Sequence, residues 1–183
     1  MRPLRGRIPD PADVRGATLR AAMTRDQRAR RAELTDHAAS AEVAARIQAS
    51  FDRQAFMKTV GARLVSVEPG QVVIEWPFSS SLTQQHGFLH AGVVAAVADS
   101  ACGYAALSLM PQGVGVLSVE FKVNLMKPAA GERFRAVAKV IRAGRTLSVC
   151  GAEVQAHQAG KETTIAIMQG TMMAVRDNPG LVD

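Results

Sequence analysis

The spacing of apolar residues changes several times along this chain, and each change marks an element. From Thr24 to about Gln48 the chain is rich in Ala, Arg and Glu, with Thr24 available as a cap, which predicts an exposed helix. A second helical piece is expected to run to about Thr59, with Phe51, Ala55 and Phe56 as the stripe that lies on a sheet. The period then shortens: ARLVSVEPGQVVIEWPF is two β-rich runs around Pro69-Gly70, a hairpin over about 62 to 78. After the loop SSSLTQQHGF, the apolar run from about His90 to Leu109 is helical. Val94, Val97, Ala98, Ala101 and Ala105 recur at spacings of three and four, and Ala and Gly fill the other side.

Beyond Pro111 the chain alternates strictly. Leu117, Val119, Phe121, Val123 and Leu125 fall on one face, and Ser118, Glu120, Lys122 and Asn124 on the other, so one buried face is expected. Turn signals at KPAAGE, RAGR and HQAGKE separate three more strands, near 133 to 142, 145 to 157 and 162 to 175. Short loops favour an antiparallel meander for these last four strands. The apolar helix must be buried on nearly all sides, which an α+β architecture with a sheet wrapped around one central helix achieves.

Composition narrows the class. At 183 residues with 48% hydrophobic content the chain holds one domain with a real core plus an extension. Its net charge of +6 is uneven: residues 1 to 40 carry +4 and the remainder +2. The basic extension lacks interleaved aromatics and mixes its arginines with acids, so no nucleic-acid role is expected, and a solvated or weakly ordered segment is. No apolar leader pattern and no run long enough to span a bilayer are present, so no membrane association is expected and the cytoplasm is the expected location. Cys102 and Cys150 have no CxxC spacing and read as small core residues.

Chemistry concentrates in QQHGFLHAGVVAAVADSACGYAA, residues 84 to 106. No Ser, Thr, Asp or Asn stands at the helix start around Leu89, His90 and Ala91, and Gly87 and Gly92 allow close approach to the backbone. Uncapped amides at a helix N-terminus suit an anion, or an oxygen that becomes one in a reaction; His90 or water is the alternative cap. Asp99 has Ala95, Ala96, Cys102 and Gly103 one turn away and no partner among them, so it should face a cleft or an interface. Ala91 and Asp99 are eight residues apart, about 12 Å along the axis, too far for both to reach one carbon. If they cooperate, Asp99 comes from a second copy in a two-fold dimer. His86 and His90 stand four apart with no third ligand nearby, so they read as structural or substrate-orienting, and no metal is expected.

The stretches TQQHGFLHAGVVAAVADSACGYAA and VGVLSVEFKVNLMKPAAGERFRAVAKVIRAGRTLSV resemble the hotdog-fold thioesterases of the PaaI-like branch, over about residues 60 to 175. The resemblance implies hydrolysis of acyl-coenzyme A in a homodimer, often paired into a tetramer, with no metal and no cofactor. It assigns Gln84 to orienting the reactants, the Ala91 amide to polarising the thioester carbonyl, Asp99 to activating water or attacking directly, and Ser118 to placing the water. Ala91 stands where glycine is commoner, which bears on substrate shape because the donor is a backbone N–H.

On this reading residues 1–45 are the extension, 46–176 the hotdog domain and 177–183 a tail. Gly92 is a second amide donor to the oxygen, and Lys122, Arg142 and Arg145 are cations for the coenzyme phosphates. The alternatives are a non-catalytic acyl-CoA-binding or regulatory hotdog protein and, ranked last, a hydratase or dehydratase on the same fold, because the acid lies two turns too deep in the helix.

Overall fold

A computed structural model describes residues 40–181, all within one compact unit, Ala39–Asp183. The helix expected from Thr24 lies outside the described residues up to position 39. Helix α1 covers residues 40–53 and α2 Ala55–Val60. The hairpin strands β1 (Arg63–Glu68) and β2 (Gln71–Pro77) follow, then the long helix α3 (Ala91–Leu107). Four strands complete the chain: β3 (Gly115–Leu125), β4 (Arg133–Arg142), β5 (Leu147–Gln158) and β6 (Lys161–Val175).

The expected stripe of Phe51, Ala55 and Phe56 is corrected. Gln54 takes an extended conformation (φ −74°, ψ 103°) and breaks the helix, so α2 restarts with a new phase. Phe51 stays buried, but Met57 and Val60 replace Ala55 and Phe56 against the core. Ile47 of α1 is fully buried beside them. Ile47→Val should therefore lower unfolding free energy by about 1 kcal/mol, measured by denaturant titration; no loss would mean that α1 contributes nothing to the core.

All strand pairs are antiparallel, in the order β1-β2-β4-β5-β6-β3. Only β4, β5 and β6 form the expected meander. A strand has two edges, and those of β4 are taken by β2 and β5, so β3 is displaced to the far side of β6. The link 126–132 makes that crossing past the start of α3, where the Leu89 N–H bonds to the Ala129 carbonyl at 3.1 Å.

Helix α3 lies against β2, β3, β4, β5 and β6. Its valines and alanines leave room for close approach, and Val94, Val97, Ala98, Ala101 and Ala105 are buried with Ile74, Trp76 and Phe134 of the sheet. Each fully buried valine contributes about 1.5–3 kcal/mol. Trp76 and Phe134 stack with centroids 5.6 Å apart.

Strand β3 departs most from its pattern. Leu117, Val119, Phe121 and Leu125 are 42–54% exposed, so the expected buried face is not buried within one chain. Among the described residues β3 is an edge strand with no neighbour on one side. A bulge also interrupts it: Ser118 pairs with Met172 and Glu120 with Thr171, which leaves Val119 without a cross-strand partner. The extra residue reverses the alternation. Val116 and Ser118 before it share the helix side of the sheet with Phe121, Val123 and Leu125 after it, opposite Ala174, Met172, Gly170, Met168 and Ala166 of β6, all of them buried. Ser118 therefore does not share a face with Glu120, Lys122 and Asn124; it points toward α3.

Candidate active site

The loop before α3 is a closed turn. The Gln84 N–H donates to the Phe88 carbonyl at 2.9 Å, and the Gly87 N–H to the Gln84 carbonyl at 3.0 Å, with Gly87 at φ 83°, where a side chain would be strained. The Gln84 side-chain carbonyl accepts from the His86 N–H. This turn delivers His90 to the N-cap in extended geometry, and its Nδ1 accepts from the Gly92 N–H at 2.9 Å.

That bond corrects one expectation. Gly92 is not a second free donor, because His90 caps it. The Ala91 N–H has no acceptor among the described residues and lies at the positive end of α3. Ala91 and Gln84 line one cavity of about 480 Å³, with Phe88, Val94, Leu125 and Lys127 among its other walls. His90→Ala should cost about 1 kcal/mol in a denaturant titration through loss of the cap; an unchanged midpoint would show that water replaces the imidazole without loss.

Asp99 lies two turns further along, in a different cavity of about 350 Å³. It has one hydrogen-bond partner among the described residues: the Ser118 hydroxyl donates to Asp99 Oδ1 at 2.7 Å. The β3 bulge is what aims Ser118 across at the helix. Burial pushes the Asp99 carboxyl above the ordinary carboxylate range, and the Ser118 hydrogen bond draws it partly back. A carboxylate so placed is a stronger base than one in open water, and the hydroxyl fixes one of its oxygens while leaving the other available.

The remaining expected residues are dispersed. His86 is exposed, with its ring near Gln85 at 3.4 Å. Lys122 lies on the sheet face turned away from α3, beside Ile141 and Ile167. Arg142 ends β4 and Arg145 is in the turn that follows. None of these four lines the cavity of Ala91 or that of Asp99. Among the described residues no group of three or more His, Cys, Asp or Glu side chains is placed to hold a metal ion, and no helix is long and apolar enough to cross a membrane. Both cysteines are buried and free; burial pushes the Cys150 thiol up to about 11 and the Cys102 thiol further still.

Sequence reasoning missed two sets of residues. Lys127, in the crossing link, lines the Ala91 cavity, yet read only as part of a turn signal. Gln54, Ser100 and Tyr104 line the Asp99 cavity. Ser100 and Tyr104 follow Asp99 by one and five positions on the same helix, a spacing that was readable; Gln54 carried no signal, because the break it makes was not expected.

Comparison with known proteins places this arrangement. The thioesterase superfamily model matches residues 86–162, which hold the end of the loop from His86, α3 and the strands through the β5–β6 turn, with Gln84 outside the match. The crystal structure of a thioesterase family protein from Silicibacter pomeroyi superposes with a TM-score of 0.70 at 52% identity, covering 71% of this chain and 96% of that one. The acyl-coenzyme A thioesterase PaaI of Escherichia coli is 25% identical over 67% of this chain and 84% of its own length. Acyl-coenzyme A thioesterase 13 of Mus musculus is 29% identical over 54% of this chain and 70% of its own. These matches make the sheet wrapped on a central helix that of a hotdog protein of the thioesterase class, whose shared reaction is thioester hydrolysis. Within that class, the chain belongs to the PaaI-like hotdog thioesterases.

Proposed function

We propose that this protein hydrolyses acyl-coenzyme A to the free acid and coenzyme A, in a homodimer whose two sites each draw on both chains. The observation that carries the reading is the separation of two complementary half-sites. Ala91 presents an unpaired N–H in one cavity, while Asp99, held by Ser118, lies in another. A thioester carbon needs both at once, an oxyanion donor on its oxygen and a base or nucleophile at its face. A second copy set antiparallel along the apolar edge of β3 would cover Leu117, Val119 and Phe121 and bring one chain's Asp99 to the other's Ala91. Oxyanion donors of this kind contribute about 10²–10³-fold each. Gln84 lines the Ala91 cavity and would orient the reactants there.

Free-thiol detection over a panel of acyl-coenzyme A thioesters tests the reading. Thiol release that follows enzyme concentration supports it. Thermal stabilisation by the same compounds with no thiol released would make the protein a binder instead.

A further inference from the structure

We infer that Gln54, held at the break between α1 and α2, is a specificity residue that reads a hydrogen-bonding group on a compact acyl chain. The inference rests on the acyl-coenzyme A reading above and adds which half of the substrate each cavity takes.

The groove at Ala91 does not stop there. It continues into a further cavity of about 690 Å³ that shares Phe88, Lys127, Pro128 and Ile165 with it and reaches Lys161. An extended, mostly apolar channel with two ammonium groups along it suits the long, phosphate-bearing thiol half of the substrate. The acyl half is left with the cavity at Asp99. At about 350 Å³ that cavity is smaller than either part of the groove and has room for a single ring or a short chain.

Its walls are polar in an unusual way. Gln54 is the N-cap of α2 and makes no side-chain bond to the helix amides, so its carboxamide is not engaged there. Its carboxamide goes to the cavity wall instead: Nε2 donates to the Tyr104 hydroxyl at 2.9 Å, and Oε1 accepts from the Ser100 hydroxyl at 3.4 Å. A carboxamide has two N–H donors and two oxygen lone pairs, so these bonds leave one of each for a ligand. An alkyl chain in this space would strip water from Gln54 and return nothing. A hydroxyl or carbonyl on the acyl group replaces that water, and sites of this construction discriminate against the analogue that lacks the group.

The test compares kcat/KM on matched pairs, 4-hydroxybenzoyl- against benzoyl-coenzyme A and 6-hydroxyhexanoyl- against hexanoyl-coenzyme A, with the full-length protein and its Gln54→Leu variant. The unsubstituted protein is expected to favour at least one hydroxylated member by about tenfold or more, carried mainly in KM, and Gln54→Leu to bring that ratio close to one. Tyr104→Phe, which removes one hydroxyl from an internal bond, is the second variant and should lower the same ratio if Gln54→Leu does not fold. Equal rates on both members of each pair, or a preference that survives in a folded variant, overturns the role of Gln54 while leaving the thioesterase reading intact. Thiol release from none of the four compounds overturns both.

Discussion

Asp99→Asn is expected to reduce kcat by about 10²–10⁴-fold while leaving the protein folded and no less stable at neutral pH. The first part follows from chemistry: an amide neither accepts a proton from water nor attacks a thioester, whether Asp99 serves as base or as nucleophile. The second follows from linkage. Burial raises the Asp99 pKa in the folded chain above its unfolded value, with the Ser118 hydrogen bond only partly opposing it. A group shifted in that direction favours the folded state fully below the unfolded pKa, and the benefit is lost as pH rises through the folded pKa. At pH 7 the ionised carboxylate is thus a burden on the fold that a neutral amide does not impose. Steady-state kinetics with free-thiol detection and thermal unfolding at pH 5 and pH 7 check both halves. A variant that retains full turnover sinks the role of Asp99, and one that unfolds at lower temperature at pH 7 shows the carboxylate to be structural. The same shift sets the acid side of the rate profile: turnover should fall as pH drops through the raised pKa, and Asp99→Asn should abolish that dependence.

How far the sequence could be read depended on whether the deciding interaction was local. The hairpin, α3 and the strand boundaries were legible because turn residues and apolar period lie within a few positions of what they determine. Asp99 stood out for the same reason, since its neighbours on the helix could be enumerated. Its partner Ser118 comes from 19 positions away, and no period could reveal that it turns toward the helix. A strict alternation placed it with Glu120 and Lys122, and the bulge at Val119 reversed the parity. The displacement of β3 to the sheet edge was equally hidden, being decided by competition for the two sides of β4. His90 shows the opposite case: its capping of Gly92 was a local alternative, visible in the sequence but not selected there.

The prediction that separates a shared site from one built within a single chain concerns mixtures. Ala91→Pro should remove the proposed oxyanion donor with little harm to the helix, because Ala91 is the first residue of α3, where proline is favoured. His90 already has the extended conformation (φ −62°, ψ 135°) that a following proline requires. Alone, the variant should lose about 10²–10³ in kcat. Mixed in equal amounts with Asp99→Asn, dissociated and reassembled, random pairing makes roughly half of all dimers mixed, and each mixed dimer combines both lesions at one site and neither at the other. Activity should then recover to roughly a quarter of the unsubstituted level from two proteins that are each nearly inert. If Ala91 and Asp99 served the same site within one chain, every site in the mixture would carry a lesion and no recovery could occur. The expected recovery follows from the helix itself: about 12 Å of it separates the two groups within one chain, so a site that uses both is expected to draw them from two chains.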